Sequence, residues 1–350
     1  MLIYFVILTL FCLSAVLTFD RILSNGWRSF TSCIAFLNGI VLIVFIGLRD
    51  GVGGDWESYV ALLERFRWPL NLGEYVMLPI EPGYAALDVL ANAVGGGIYL
   101  VNFLCALIIV FSFIQYAALM KINANYVFFI AAPYILFVVG MNYSRQSVAI
   151  AISFVALAHL ANGNSRGFRL LMLLAMCFHF TAAVLIVFLR FKRKIYSVLL
   201  LGFLGVIGAF MSFRYSAYVS GGEFDSKGVW LRLSMLLVGA FLFWSLRNHW
   251  RSQPDAYWIL KRASLVVIML AALSFRFSTI ADRIGLYMMF LYVTMMASTL
   301  RYIRPNYPEF QWLSIFFCAA MTYAVFFVWF GLSSAASLWI PYRSILPTFF

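Results

Sequence analysis

The chain has 350 residues, of which 64% are apolar and only 11% are charged, and its formal net charge is +12. A water-soluble domain carries about a quarter charged residues, so this composition excludes a soluble globular protein. The positive charge does not indicate nucleic-acid binding, because the basic residues lie between long apolar runs, where membrane topology accounts for them.

Apolar runs near the roughly 20 residues that a helix needs to cross a bilayer recur along the whole sequence. They predict an all-α polytopic membrane protein, a single domain over residues 1–350 with an outer loop segment at 49–96. The ten predicted spans are 2–19, 29–48, 97–119, 124–141, 145–161, 196–213, 229–246, 263–281, 284–300 and 310–331.

The run 168–190 is predicted to be a re-entrant hairpin rather than a span. Basic residues concentrate on the cytoplasmic side, and they assign the loop before this run and the cluster 190–194 after it to the inside. The run is too short to cross the bilayer twice, so it is expected to turn near His179, roughly mid-membrane. Arg145 is then expected about 15 Å nearer the outer surface. A single crossing is the alternative.

The outer segment contains two predicted helices. In the first, Trp56, Tyr59, Val60, Leu63 and Phe66 recur at helical spacing, which indicates an amphipathic helix on the outer membrane surface. The second begins at Glu81-Pro82, with proline at its first position, and is expected to bury Tyr84, Leu87 and Ala91.

Four arginines are predicted at or just inside the outer ends of spans, against the usual charge bias: Arg49, Arg145, Arg276 and Arg283. Each alone could extend its head group to lipid phosphates. Together they indicate capture of a lipid-linked phosphate or pyrophosphate, because the guanidinium fork matches phosphate oxygens.

Acidic residues and one histidine are the candidates for proton transfer. Asp55 and Glu81 sit beside glycine or proline on predicted surface turns, where a carboxylate could deprotonate a hydroxyl or orient a sugar. Asp282 has an ordinary ion pair with Arg283 as its simpler interpretation. His179 is a candidate because an ionisable group within a membrane segment is a functional hypothesis by default, although a core histidine is the simpler alternative.

Nucleotide and metal motifs are missing from the sequence: there is no P-loop, HExxH, GxSxG or DxD-type motif, and the five cysteines lie singly in apolar runs. We therefore expect no cofactor and no metal, and neither a nucleotide-dependent enzyme nor an ATP-driven pump.

Short motifs occur in a fixed order: Gly47-Leu48-Arg49-Asp50-Gly51-Val52-Gly53-Gly54-Asp55 followed by Tyr59, then Glu81-Pro82-Gly83-Tyr84, Asn142-Tyr143-Ser144-Arg145-Gln146, His179-Phe180-Thr181, Arg283 with Tyr287, and Pro341-Tyr342. In these motifs the chain resembles the EpsG family, a branch of the Wzy-type polymerases of bacterial exopolysaccharide and O-antigen repeat units. The family often has lysine after the histidine, where this chain has Phe180.

The resemblance implies a glycosyltransferase of the bacterial cytoplasmic membrane that faces the periplasm or outside. It would move a growing glycan from undecaprenyl pyrophosphate onto the next lipid-linked repeat unit. The lipid-linked oligosaccharide, membrane lipid and a chain-length regulator protein are the implied partners. His179, Glu81 or Asp55 would take the acceptor proton, and the implied substrate-binding residues are Arg49, Arg145, Gln146, Arg276, Arg283, Tyr59, Tyr84, Tyr287 and Tyr342.

Three other classes stay open. A lipid-linked oligosaccharide flippase would also use outward charges and a broken helix, but it should show pseudo-symmetric halves. An O-antigen ligase usually carries a larger outer loop late in the chain, whereas the longest one here is early. A membrane O-acyltransferase would place its histidine nearer the inner face.

Overall fold

The computed structural model describes residues 1–18, 25–66, 80–189 and 228–346. These residues form helices joined by turns and short loops, with one isolated β-bridge between Arg49 and Ser344. In chain order the α-helices are α1 (Leu2–Leu17), α2 (Asn25–Gly47), α3 (Trp56–Leu63), α4 (Pro82–Ala93), α5 (Gly97–Met120), α6 (Ala124–Asn142), α7 (Ser144–Ala161), α8 (Ser165–Phe178), α9 (Val229–Ser245), α10 (Arg247–Trp250), α11 (Pro254–Leu273), α12 (Ser278–Asn306) and α13 (Gln311–Phe327).

Tighter and wider turns interrupt this pattern. Short 3₁₀-helices lie at Phe180–Phe188, Pro308–Phe310 and Ser334–Leu338, and π-helical turns at Ala132–Val139 and Val328–Leu332. Pro133 lies at the start of the π-helical turn inside α6. Because proline removes one backbone donor and clashes with the preceding turn, a wider turn there has a physical cause.

Seven of the described helices are long and apolar enough to cross a membrane, and α1 and α9 are shorter apolar helices. Nine of the ten predicted spans correspond to these helices, while 196–213 lies outside the described residues. The predicted fold class, an all-α multi-pass membrane protein, is confirmed.

One predicted span is displaced. The segment expected at 263–281 is α11, which begins at Pro254 and ends at Leu273. Proline at the first position starts the helix early. The helix tolerates the basic Arg262 because this side chain donates a 2.7 Å hydrogen bond to the Val187 carbonyl and lies over the Trp258 ring.

Three helices form the centre of the bundle. In α6, α7 and α12, 94%, 83% and 83% of the apolar window is buried by protein, against 28% to 39% for the spans of α2, α11 and α13. The central helices are therefore shielded from lipid by their neighbours. Polar side chains at their ends face protein or an opening between helices.

Each end of the bundle brings together residues that were predicted to lie on the same side of the membrane. Lys121 and Arg301, both predicted inside, meet where the Arg301 guanidinium donates to the Lys121 carbonyl. Residues predicted outside meet at the other end, called the site end below, where the Asp50 N–H donates to the Arg343 carbonyl.

The predicted break in 168–190 occurs at His179. Helix α8 ends there, His179 is extended (φ −157°, ψ 115°), and the 3₁₀-helix Phe180–Phe188 follows. Fourteen residues of α8 rise about 21 Å from the opposite end. The break therefore lies at the site end, and the expected mid-membrane tip is wrong. The cluster 190–194 lies outside the described residues.

The amphipathic helix α3 packs on protein. Tyr59, Leu63 and Phe66 are buried, against α4 and α5. The predicted amphipathic helix is confirmed, and its apolar side is covered by neighbouring helices. Helix α4 begins after Glu81 with Pro82 as predicted, burying Tyr84 and Ala91 and partly burying Leu87.

Candidate functional site

The loop between α2 and α3 is locked against the end of α6. Gly53 has φ +102°, and a Cβ there would lie 2.5 Å from the Met141 carbonyl oxygen, so only glycine fits. The Asp55 N–H donates to Oδ1 of Asn142 at 3.2 Å. These contacts fix Asp55 beside the junction of α6 and α7.

Glu81 joins Arg145 to the helix break. Its Oε2 lies 3.0 Å from Nη1 of Arg145, and its Oε1 accepts a 3.3 Å hydrogen bond from the N–H of Phe180. One carboxylate therefore contacts α7 and the residue next to His179. The 15 Å separation expected between His179 and Arg145 is wrong, because the break has moved up to the arginine.

Arg283 completes a second edge of the site. Its Nη1 donates to Oε1 of Gln146 at 3.1 Å, and its guanidinium carbon lies 5.2 Å from the centre of the Tyr143 ring. The Arg283 side chain is exposed and Arg145 is partly exposed. Two guanidinium groups from adjacent central helices are thus accessible at one level.

At this level Nε of Arg145 and Nε2 of Gln146 are buried without a full hydrogen bond within the described residues, although the hydroxyls of Tyr59 and Tyr287 interact with these two side chains. Buried polar groups in native proteins are nearly always hydrogen-bonded. Acceptor oxygens of a ligand would satisfy both.

His179 is held in one tautomer by its neighbour. Its Nδ1 accepts from the N–H of Thr181 at 3.4 Å and lies 2.7 Å from the Thr181 hydroxyl, which in turn lies 2.9 Å from the hydroxyl of Tyr287. A nitrogen that accepts carries no proton, so the neutral ring carries its proton on Nε2. The free nitrogen of His179 is therefore a hydrogen-bond donor.

Asp55 has the properties of a proton acceptor. Burial raises the pKa of its carboxyl, and the positive charges of Arg283 and Arg145 oppose this shift. Among the described residues, no hydrogen bond or ion pair occupies this carboxylate. By contrast, Glu81 is engaged on both oxygens.

The predicted tyrosines line or support this site. The Tyr59 hydroxyl accepts from the N–H of Arg145 at 3.5 Å, and burial raises the Tyr59 pKa to about 12. Tyr84 is fully buried against Tyr59, and Tyr287 is buried behind Thr181. Tyr342 stacks on Phe45 and donates to its carbonyl, which makes it a packing residue.

Two of the predicted arginines do not join the cluster. Arg49 is 2% exposed and donates to the carbonyls of Ile46 and Val52 and to the Ser144 hydroxyl, so it braces the loop instead of facing a ligand. Arg276 is exposed on the turn after α11 and lies over the Phe277 ring.

Asp282 is paired with Arg232 and not with Arg283. The Arg232 guanidinium binds the Asp282 carboxylate, donates to the Asp282 carbonyl at 2.7 Å and contacts the Tyr134 hydroxyl. Sequence reasoning missed Arg232. The available signal was an ionisable residue inside the predicted span 229–246.

Asp88 was missed as well. It is fully buried on α4, and neither carboxylate oxygen has a hydrogen-bond partner within the described residues. Burial raises its pKa to about 8. Its position one turn after Tyr84, on the predicted buried side of α4, was the available signal.

Comparison with known families gives one result that covers most of the chain. The EpsG family matches residues 31–344. No curated protein and no solved structure matches significantly. The matched range contains Asp55, Glu81, Arg145, His179 and Arg283. The chain belongs to the EpsG family and is thereby an exopolysaccharide-related, glycosyltransferase-like polymerase of the membrane.

Proposed function

We propose that the protein polymerises lipid-linked oligosaccharide repeat units. It transfers the growing glycan from undecaprenyl pyrophosphate onto the non-reducing end of the next lipid-linked unit. The observation that carries this is the pair of accessible guanidinium groups, Arg145 and Arg283, on adjacent central helices of a member of the EpsG family.

The arginine pair supports a pyrophosphate leaving group. Arg145 shares its charge with Glu81, whereas Arg283 has only the neutral Gln146 as its hydrogen-bond partner among the described residues. Nε of Arg145 and Nε2 of Gln146, which make no full hydrogen bond within the described residues, add two donors at the same place. Such fixed donors stabilise the negative charge that develops as pyrophosphate departs.

The three candidate proton acceptors take different roles in this proposal. The acceptor hydroxyl oxygen forms a bond to the anomeric carbon of the donor glycan while the bond from that carbon to the pyrophosphate oxygen breaks. The proton of the hydroxyl passes to the Asp55 carboxylate, and lipid pyrophosphate leaves.

His179 and Glu81 support this step without taking the proton. His179 donates from Nε2 to an oxygen of the substrate, because its Nδ1 is already an acceptor for Thr181. Glu81 is a positioning residue that aligns Arg145 with the helix break.

The proposal includes the side of the membrane and the partners. The site end faces the periplasm or outside of a bacterial cytoplasmic membrane, as the basic loops at the other end favour. The lipid tail of each substrate lies in the bilayer, and a chain-length regulator is a proposed protein partner.

Deleting the gene and complementing it tests the function. Cells without the protein should display single repeat units in place of long surface glycan, and the wild-type gene should restore long chains. Loss of all surface glycan, single units included, would instead indicate a flippase. Long polymer that accumulates on its lipid carrier would indicate a ligase. Either result contradicts the proposal.

A further inference from the structure

A small cavity adjoins Gly53 and Gly54 in the loop between α2 and α3. Its volume is about 270 Å³, and it opens between the start of α3 and the segment 337–343. The residues that carry its chemistry are Gly51, Trp56, Glu57, Ser337 and Arg343. This volume is just below the roughly 300 to 1,000 Å³ of typical small-molecule sites, so it suits one ring and not a lipid chain.

Backbone hydrogen bonds hold the walls of this cavity together. The N–H of Asp50 donates to the Arg343 carbonyl and the N–H of Gly53 to the Leu338 carbonyl, each at 2.9 Å. An isolated β-bridge joins Arg49 to Ser344. These backbone bonds hold two distant segments of the chain at a fixed spacing, so the cavity is preorganised.

Glycine keeps the cavity open beside a cation. Gly51 has φ +62°, and a Cβ on it would lie 3.5 Å from Nη2 of Arg343. The positive φ would strain a larger residue at this position, and its Cβ would lie in ordinary contact with the guanidinium.

The polar groups around the cavity balance in charge. Glu57 supplies one carboxylate and Arg343 one guanidinium, both exposed, and neither makes an ion pair within the described residues. The Trp56 indole is fixed by Arg49, whose guanidinium carbon lies 5.8 Å from the ring centre, and by Tyr99. A flat apolar ring with one acceptor group and one donor group fits a polyhydroxylated ring. An anion would be repelled by Glu57 and belongs at the arginine pair.

We propose that this cavity binds a neutral sugar residue of the glycan beside the reacting centre. The proposal rests on the proposed polymerase function and adds to it a sugar subsite separate from the pyrophosphate site. Asp55 lies in the chain between Gly54 and Trp56, which both line the cavity, so the subsite and the proposed proton acceptor belong to one short loop segment.

Filling the cavity tests the subsite. Ser337→Trp places an indole in it, and Ser334→Trp, on the same exposed 3₁₀-helix but outside the cavity lining, is the matched control. Because the Ser337 hydroxyl donates to the Ser334 carbonyl, Ser337→Ala controls for that lost bond. The readout is thermal unfolding of the purified protein with two probes: inorganic pyrophosphate, and oligosaccharide released from the host's own polymer by mild acid.

The oligosaccharide should stabilise the wild type, Ser334→Trp and Ser337→Ala, and its affinity for Ser337→Trp should fall by more than about tenfold. Pyrophosphate should stabilise all four. Equal stabilisation of Ser337→Trp by the oligosaccharide, or none of the wild type, overturns the subsite. Should Ser337→Trp not fold, the pair Glu57→Gln and Arg343→Gln takes its place with the same expected loss.

The two proposals fail separately. Absence of polymer in cells that carry the wild-type gene overturns the polymerase function itself. Normal long polymer from Ser337→Trp, together with unchanged oligosaccharide affinity, removes the subsite and leaves the polymerase function standing.

Discussion

Glu81 and Arg145 form an ion pair with 3.0 Å between Oε2 and Nη1, although 64 residues separate them in the chain. Through this pair, the first turn of α4 is tied to the first turn of α7. The other Glu81 oxygen reaches Phe180, so the helix break is held in the same arrangement. A partly buried carboxylate thereby sets the position of a cation on a central helix.

Arg145 should not tolerate lysine. Arg145→Lys keeps the charge but loses the fork that contacts Glu81 with one nitrogen and leaves others for substrate. We expect polymer synthesis to fall on the order of 10²-fold, as on removal of a preorganised donor to a developing anion, and Arg145→Ala to abolish it. Glycan length on gels and the amount of inserted protein are the measurements. Arg276→Lys is the control, since Arg276 lies outside the cluster.

Asp55→Asn should be far more damaging than His179→Gln. Loss of a general base costs about 10²- to 10⁴-fold, whereas glutamine keeps a donor in place of Nε2. Initial rates in membrane vesicles with lipid-linked repeat unit measure both. The pKa of Asp55 is raised, and a base works only when deprotonated. The wild-type rate should therefore fall with falling pH at a higher pH than an ordinary aspartate would give. A normal rate from Asp55→Asn would assign the base elsewhere.

Much of this arrangement could be predicted from the sequence because the apolar runs and basic loops fix which ends of helices meet. Alternation of the spans puts Asp55, Glu81, Arg145 and Arg283 at one end whatever the packing angles are. The depth of His179 could not be obtained in this way. It depends on α8 completing almost four turns before it breaks, and hydropathy does not reveal where a helix ends inside an apolar run.

The sequence also did not reveal which groups each charged side chain binds. Arg49 turns inward because its nitrogens meet two local carbonyls and the hydroxyl of Ser144, 95 residues away. Asp282 binds Arg232 rather than its neighbour Arg283, since consecutive residues of a helix point in different directions. The cavity at Gly51 exists only because the C-terminal segment returns to the loop after α2.

Removing one partner of the Arg232–Asp282 pair should lower the free energy of unfolding strongly, whereas replacing both with apolar residues should lower it little. Both residues are buried, so Arg232→Met or Asp282→Leu alone leaves an uncompensated charge and should destabilise by about 3 to 5 kcal/mol. The double variant should recover most of this loss. Thermal unfolding in detergent measures all three proteins. Additive losses in the double variant would contradict the pairing.

Asp88 should make stability depend on pH. Its folded pKa is about 8 and the ordinary value is 3.8, so between these values the folded state holds a proton that the unfolded state has released. The contribution of Asp88 to the free energy of unfolding is therefore most favourable below pH 4, and it declines as the pH rises toward 8. Asp88→Asn should be more stable than the wild type at pH 9, on the order of a few kcal/mol, and nearly equal at pH 4.

Thermal unfolding of both proteins across this range checks the Asp88 prediction. Glu64→Gln, at the exposed C-terminal end of α3, serves as the control for loss of a carboxylate that is not buried. Parallel pH profiles for wild type and Asp88→Asn would show that Asp88 is ionised in the fold.

The site end is predicted to face outward, and single cysteines test it. Ser58 on α3 and Ser252 beyond α10 are both exposed and lie at opposite ends of the bundle. In a variant whose five native cysteines are replaced, a membrane-impermeant thiol reagent should label Ser58→Cys in intact cells and Ser252→Cys only after the membrane is opened. The reason is the excess of Lys and Arg in the loops at the Ser252 end. Labelling of Ser252→Cys alone in intact cells would invert the protein and place the arginine pair in the cytoplasm, where a periplasmic polymerase cannot work.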